Sequence, residues 1–133
     1  LKYYTSLLEL MANKGVPAFC TNPDLVMLTP NGTSFGAGVI AKEYEKIGGS
    51  VTWFGKPHPL IYKFALNKIP NIEPQKVLCI GDSVEHDIRG GFDANCSSAL
   101  VKTGITATTK NEDLRNSNNL SEIPNFIIPA FSF

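Results

Sequence analysis

The chain has 133 residues, of which 43% are hydrophobic and 18% charged, a composition typical of a globular protein and not of a disordered one. Twelve basic and twelve acidic residues give a formal net charge of zero. This balance argues against nucleic acid or an anionic membrane as the main partner, because both select a basic excess. The three cysteines (Cys20, Cys79 and Cys96) lack CxxC spacing, and no apolar run approaches the roughly 18 residues of a membrane span. We therefore expect buried free thiols and a cytoplasmic protein.

The first half of the sequence predicts two helix–strand units in succession. Apolar residues recur at helical spacing from Leu1 until Gly15, which ends the pattern. The segment after Cys20 is rich in Asn, Pro, Thr and Gly, the composition of a loop. The predicted order is a helix before Gly15, a buried strand over 16–21, a loop over 22–36, a helix over 37–47 and a strand over 51–54.

The rest of the sequence continues the alternation. Pro57 and Pro59 suit the start of a third helix, where a missing N–H is harmless, and that helix ends before Pro70. The further predicted elements are a strand and turn over 76–83, a short helix over 84–94, a strand over 98–101, a polar stretch over 103–122 with one weak helix, and a last strand over 125–131. Such alternation with short connections predicts an α/β fold with a mainly parallel sheet, and a domain boundary near Gly55.

Two charged residues, Asp82 and Lys56, follow predicted strands, and a third, Asp87, lies close to Asp82 in the sequence. Asp82 comes directly after an apolar strand and a glycine, so we expect it at the carboxyl end of that strand, where open α/β sheets bind ligands. Asp87 lies five residues further on and can fold back beside it. Two close carboxylates repel each other unless a cation lies between them, and Mg²⁺ suits carboxylate ligands. Lys56 follows the strand over 51–54; if the two strands are neighbours, its ammonium and the acidic pair can together neutralise a phosphoryl group.

Each motif also has a purely structural explanation. The Gly-Lys-Pro sequence around Lys56 is compatible with a simple turn, and Gly-Asp-Ser after a strand with a helix N-cap, because Asp and Ser both cap well. The stretch 49–57 is not a P-loop, since five residues separate its glycines and Pro57 replaces the Ser or Thr that holds the metal. His86 has no GxSxG motif beside it, so a serine triad has little support.

Five motifs together resemble those of the haloacid dehalogenase (HAD) superfamily. In chain order they are TNPD (21–24), GAG (36–38), GKPHP (55–59), VLCIGDSVEHDIRGG (77–91) and LVKTGI (100–105). Within the superfamily the chain is similar to the NagD-like phosphatases, and the resemblance covers nearly the whole chain. It implies an α/β fold with two parts: residues 1–54 would be the C-terminal part of an α/β cap domain, and residues 55–133 the C-terminal part of a HAD-like core with a Rossmann-like parallel sheet.

The resemblance also implies roles for the charged residues. Lys56 matches the family lysine that holds the nucleophilic carboxylate and the phosphoryl oxygens, so it would be both catalytic and substrate-binding. Asp82 matches the residue that ligates Mg²⁺. Asp87 matches the second acid, which supports the metal through its waters or steadies the loop. Gly81 and Ser83 would support that loop.

The same resemblance places the segment 22–36 at the substrate-facing loop of the cap. Asn22 and Asp24 are its most recognisable residues, and they would bind substrate; turn formation is an equally good explanation for both. Sugar phosphates, nucleotides, glycerol phosphate and pyridoxal phosphate are all conceivable substrates for this subclass.

The sequence lacks two features of the family, the DxD pair and the Ser/Thr phosphate-binding motif that normally precedes the cap. These phosphatases attack phosphorus with the first aspartate of a DxD pair, and the sequence contains no DxD. We therefore expect the C-terminal half of a Mg²⁺-dependent phosphatase that acts through an aspartyl-phosphate, with no nucleophile in this chain and little activity alone. The expected partners are a small phosphorylated metabolite and the missing N-terminal half. The alternatives are a non-catalytic binding or self-associating module, such as a homo-oligomer, and a non-catalytic relative that lost its first half.

Overall fold

The structure, a computed structural model, describes residues 2–131, apart from the side chains of Lys2, Leu28 and Ile105. Leu1, where the first predicted helix begins, lies outside the described residues. The chain divides into two compact units, with the boundary between Gly55 and Lys56. This boundary differs by one residue from the predicted one, and the assignment of the units to a cap and a core stays a prediction.

The first unit contains two helices, a parallel strand pair and a hairpin. Its elements are α1 (Lys2–Asn13), β1 (Ala18–Cys20), β2 (Val26–Thr29), β3 (Gly32–Phe35), α2 (Ala37–Lys46) and β4 (Val51–Trp53). Strand β1 pairs in parallel with β4, with Ala18 opposite Val51, and β2 pairs antiparallel with β3. Both predicted helices and both predicted strands of this half are present.

The predicted loop over 22–36 is wrong, because β2 and β3 form a hairpin within it. The hairpin places Val26 opposite Phe35 and Thr29 opposite Gly32. Gly32 has a φ of +112°, which only glycine adopts readily, and the Thr29 hydroxyl donates to the Gly32 carbonyl at 3.0 Å. The Pro, Asn and Gly that indicate a loop therefore form the turn of the hairpin, and the strands were missed because β3 is exposed throughout and has no apolar alternation.

Tyr44 anchors α2 to the segment that precedes β1. Its side chain is almost fully buried, and its hydroxyl donates to the Val16 carbonyl. Gly49 lies against the ring, and a Cβ at that position would overlap it. Strand β1 itself is less buried than predicted: Cys20 is buried, whereas Phe19 is 66% exposed.

The second unit is built on a three-stranded parallel sheet. Its elements are α3 (Pro59–Leu66), a 3₁₀ turn (Pro74–Lys76), β5 (Leu78–Gly81), a π-helical turn (Val84–Ile88), α4 (Arg89–Asp93), β6 (Ser97–Val101), a 3₁₀ turn (Gly104–Thr106), α5 (Asn111–Arg115), a 3₁₀ turn (Leu120–Glu122) and β7 (Phe126–Ile128). The strand order is β5-β6-β7, and all pairs are parallel, as predicted. The short helix predicted over 84–94 is present, but its first turn is π-helical.

The core of the second unit fixes the segment that follows β5. Leu100 on the central strand is fully buried and packs with Ile88 and Leu114. Val84 and Ile127 pack against this cluster. Because Val84 and Ile88 are the first and last residues of the π-helical turn, the hydrophobic core holds that turn at both ends.

Within residues 2–131, every helix is too short or too polar to cross a membrane.

We predict that the buried hydroxyl of Tyr44 stabilises the first unit. Tyr44→Phe removes the donor to the Val16 carbonyl and should lower the free energy of unfolding, measured with urea, by about 1–2 kcal/mol. Tyr3→Phe deletes the same hydroxyl at an 81% exposed site and should change it by less than about 0.5 kcal/mol. Equal effects of the two substitutions would contradict the structural role of Tyr44.

Candidate functional site

The candidate site lies at the carboxyl edge of the second unit's sheet. Strand β5 ends at Gly81, and Asp82 and Ser83 follow directly before the π-helical turn. Because β5, β6 and β7 are parallel, their carboxyl ends meet at one edge, the usual place for a ligand in an open α/β sheet. Asp82 therefore stands where the sequence predicted it.

An ion pair joins Lys56 to Asp87. The Lys56 Nζ donates to the Asp87 Oδ1; the lysine side chain is 54% exposed and the aspartate side chain 5% exposed. The two residues predicted to share a site are thus in contact. The condition named for this contact, that the two strands are neighbours, is not met, because β4 pairs with β1 while β5 pairs with β6. Their catalytic and metal-binding roles stay predictions.

Two further contacts hold the Asp87 carboxylate in place. Its Oδ2 accepts the backbone N–H of Ser83 at 3.0 Å, and the Asp87 N–H donates to the Ser83 carbonyl at 2.9 Å. A Cβ on Gly81 would overlap the carboxylate, so this position requires glycine. Both carboxylate oxygens of Asp87 therefore already have protein partners.

Ser83 caps the π-helical turn. Its Oγ accepts the backbone N–H of His86 at 3.2 Å and lies 2.9 Å from the His86 Nδ1. The helix N-cap considered as the alternative meaning of Gly-Asp-Ser is therefore present, and it is made by Ser83. The cap does not involve the Asp82 carboxylate, because the oxygen that accepts the N–H belongs to Ser83.

The turn after β6 contacts Asp82, a relation that the sequence reasoning missed. The Thr106 hydroxyl donates to the Asp82 carbonyl at 3.1 Å. Gly104, with a φ of +70°, lies so close that a Cβ would overlap the Asp82 carboxylate. The available signal was the Thr-Gly pair (103–104) directly after a strand, which belonged to the LVKTGI motif but received no role.

Tyr62 is a second residue that the sequence reasoning did not single out. Its hydroxyl donates to the His86 carbonyl at 3.1 Å, and a Cβ on Gly90 would overlap its ring. Burial raises the pKa of the Tyr62 hydroxyl above its ordinary value, and the nearby Cys79 and Asp87 add to the rise. The phenol therefore stays protonated and acts as a donor near neutral pH.

Cys79, on strand β5, is a poor nucleophile. Burial, reinforced by the neighbouring Cys96, raises the pKa of the Cys79 thiol to about 11. Because the thiolate is the reactive form, Cys79 is largely unreactive near neutral pH. All three cysteines are free, as expected; Cys20 and Cys96 are buried, whereas Cys79 is half-buried.

Asn22 and Asp24 belong to the first unit. The Asn22 Oδ1 accepts the backbone N–H of Asp24 at 3.1 Å, and the Asp24 carbonyl accepts the N–H of Gly38 at 3.1 Å. The first of these bonds is an Asx-turn, so the turn-forming explanation describes the geometry of Asn22. Substrate binding by these residues stays a prediction.

The fit of the site to Mg²⁺ depends on which carboxylate oxygens remain available. Among the described residues, no group of three or more His, Cys, Asp or Glu side chains is arranged so that it could hold a metal ion. Asp87 has both oxygens engaged by Lys56 and Ser83, whereas the half-buried Asp82 follows the strand end directly. Since Mg²⁺ binds through one or two carboxylates with waters and phosphate oxygens, this loop fits it with Asp82 as the direct ligand.

We predict that the Lys56–Asp87 pair is energetically coupled. A double-mutant cycle with Lys56→Met and Asp87→Asn, measured by urea unfolding, should give a coupling energy of about 1 kcal/mol or more, because the carboxylate is buried. The control pair Lys76–Glu73, with both side chains 70% exposed, should give less than about 0.5 kcal/mol for Lys76→Met and Glu73→Gln. Similar coupling in the two pairs would contradict a special role for the Lys56–Asp87 contact.

Comparisons with known proteins identify the family of this chain. The HAD-hydrolase-like family model matches residues 53–131, more than half of the chain. The dihydroxyacetone phosphatase of Corynebacterium glutamicum is 32% identical over 93 residues, which are 69% of this chain and 34% of that enzyme. The ribonucleotide monophosphatase NagD of Escherichia coli is 32% identical over 96 residues, 70% of this chain and 36% of that enzyme.

The structural comparison covers more of the chain. The p-nitrophenyl phosphatase of Archaeoglobus fulgidus superposes with a TM-score of 0.75 at 25% identity, over 98% of this chain and 49% of that one. The chain thus spans about half the length of this structural relative and about a third of the sequence relatives it matches. The predicted α/β fold class is confirmed, and the chain belongs to the HAD-like hydrolase family, in which its relatives include NagD-like phosphatases.

Proposed function

We propose that this chain supplies the lysine and the metal-supporting loop of a Mg²⁺-dependent phosphatase that acts on small phosphorylated metabolites. The observation that carries the proposal is the Lys56–Asp87 ion pair beside Asp82 at the carboxyl edge of a parallel sheet. An exposed ammonium held by a buried carboxylate is pre-positioned to meet an anion. Phosphoryl transfer depends mainly on such positioning and charge stabilisation.

Each residue of the loop has a distinct part in this proposal. The Lys56 ammonium contacts the phosphoryl oxygens, and Asp87 fixes the position of the ammonium. Asp82 ligates Mg²⁺ directly, whereas Asp87 acts through Lys56 and the Ser83 backbone. The metal, when bound, would polarise the phosphoryl group. Gly81 supports the loop by leaving room for the Asp87 carboxylate, and Ser83 does so through its cap.

The nucleophile of the proposed reaction lies outside these residues. An aspartyl-phosphate needs the first aspartate of a DxD pair, and the 133 residues contain none. Without that carboxylate the chain has neither covalent catalysis nor a second direct metal ligand. We therefore expect it to be inactive alone and to become active with an upstream segment that carries DxD.

The substrate class follows from the relatives. Their names describe hydrolysis of dihydroxyacetone phosphate and of ribonucleotide monophosphates, both small phosphate esters. Small phosphorylated metabolites are accordingly the substrates proposed for this protein, with Asn22 and Asp24 as candidate substrate contacts. A cytoplasmic location stays a prediction; the free state of Cys20, Cys79 and Cys96 supports it, because oxidising compartments favour disulfides.

A second candidate function is self-association, favoured by a row of apolar side chains whose two ends, Ile80 and Phe126, are exposed while its centre, Ala99, is buried. Ile80, Ala99 and Phe126 are in register across β5, β6 and β7, so they lie on one face of the sheet. Ile80 is 40% exposed and Phe126 55% exposed. Uncovered apolar sheet surface promotes association of a chain with itself.

The phosphatase proposal predicts a specific pattern of activity. With p-nitrophenyl phosphate and Mg²⁺, the 133-residue chain should be no more active than its Asp82→Asn variant. Adding the upstream DxD segment, in the same or a separate chain, should raise turnover by at least about a thousandfold. In that longer form Lys56→Ala should lower kcat/KM by about a hundredfold or more, and the control Lys76→Ala should leave it unchanged.

Two results would reject this proposal in different ways. Clear activity of the 133-residue chain that disappears in Asp82→Asn would mean that a nucleophile lies within it. A well-folded longer form that hydrolyses no phosphate ester would refute the phosphatase function itself.

The self-association candidate predicts a dimer in solution. Light scattering after size-exclusion chromatography should then give twice the chain mass of 14.5 kDa, and Phe126→Lys should restore the monomer because it charges the apolar row. Leu120→Lys, a 72% exposed position on the last 3₁₀ turn, serves as the control and should remain dimeric. A clean monomer of the unmodified chain would exclude this candidate.

A further inference from the structure

Tyr62 links the two segments that carry the ion pair. It lies on α3, the helix that begins three residues after Lys56, and its hydroxyl donates to the backbone carbonyl of His86 at 3.1 Å. His86 directly precedes Asp87 in the π-helical turn. The Tyr62 hydrogen bond is therefore a second connection, parallel to the Lys56–Asp87 contact, between the same two segments.

The ring of Tyr62 is confined where it makes this bond. Gly90, at the start of α4, is buried, and a Cβ there would overlap both the ring and the hydroxyl oxygen. Tyr62 itself is half-buried. The Gly90 backbone therefore limits how far the ring and its hydroxyl can move toward α4.

The acceptor of this bond decides its effect. A hydrogen bond to a side chain fixes a rotamer, whereas one to the His86 carbonyl fixes the backbone next to Asp87. The Asp87 carboxylate is then held relative to α3 as well as to Ser83. Lys56 lies just before α3. The Tyr62 hydrogen bond therefore also sets the distance between the Lys56 backbone and the Asp87 carboxylate.

We infer that Tyr62 is a positioning residue that sets the Lys56–Asp87 contact through the His86 carbonyl. Its effect on turnover rests on the proposed phosphatase function, whereas its effect on the ion pair does not. Removal of the hydroxyl alone should weaken the contact between Lys56 and Asp87, because the two segments lose a connection between them.

The test measures the Lys56–Asp87 double-mutant cycle in three backgrounds of the 133-residue chain. These are the unmodified chain, Tyr62→Phe and Ser97→Ala. Ser97 is the matched control because its hydroxyl also donates to a backbone carbonyl, that of Gln75 at 3.0 Å, at the amino end of the sheet. The cycle subtracts any general loss of stability, so a merely structural role of Tyr62 would not change it.

The expected result is specific to one background. The coupling is expressed as a factor on the unfolding equilibrium constant. In the Tyr62→Phe background this factor should fall about threefold or more below its value in the unmodified chain, and in the Ser97→Ala background it should stay within about 1.5-fold of that value. An unchanged coupling in Tyr62→Phe would overturn the inference. An equal fall in both backgrounds would also overturn it, since the effect would then belong to any hydroxyl–carbonyl bond of the unit.

Kinetics of the longer, DxD-containing form separate this inference from the proposed function. Tyr62→Phe should lower kcat/KM by about fivefold, but by less than about twofold when Lys56→Ala is already present, because the hydroxyl acts through that contact. Equal losses in the two backgrounds would overturn a role through Lys56. An inactive longer form would refute the phosphatase function, and the coupling measurement in the 133-residue chain would still decide the role of Tyr62.

Discussion

The burial of one carboxylate, that of Asp87, is the constraint around which the second unit is arranged. A buried charge is costly unless it is paired and hydrogen-bonded, and Asp87 has a lysine on one oxygen and a backbone N–H on the other. The absence of a side chain at Gly81 gives it space. The same arrangement leaves the partner ammonium half exposed at the sheet edge, where it is available to an anion.

The π-helical turn contributes residues both to the hydrophobic core and to the candidate site. One residue of the turn, Ile88, is fully buried against Leu100 and Leu114, while its neighbour Asp87 supplies the charge of the site. The hydrophobic core thus helps to position a charged group, because Ile88 and Asp87 are adjacent in the backbone. The lysine and the buried carboxylate of the candidate site are already in contact in this structure.

The sequence was sufficient to predict most of the fold and the identity of the charged residues. Asp82 after an apolar run and Lys56 in a Gly-Lys-Pro motif are local signals, and alternating helices and strands indicated the parallel sheet. The hairpin over 26–35 was missed because β3 is exposed throughout and neither of its strands has a hydrophobic period. Tyr62 and Thr106 could not be identified, because they act through backbone carbonyls that lie 24 residues away in the sequence.

The π-helical turn also limits how this segment can vary in length. The N–H groups of both Asp87 and Ile88 donate to the Ser83 carbonyl, so the turn holds one residue more than an α-helical turn does. That extra residue lets Asp87 face the lysine while Ile88 faces the core. Loss of one residue between Ser83 and Asp87 would rotate the following side chains by about 100°, the angle between successive residues of a 3.6-residue turn. A charged side chain would then face the core, and an apolar side chain would face the lysine. Substitutions are therefore easier to accommodate in this loop than insertions or deletions.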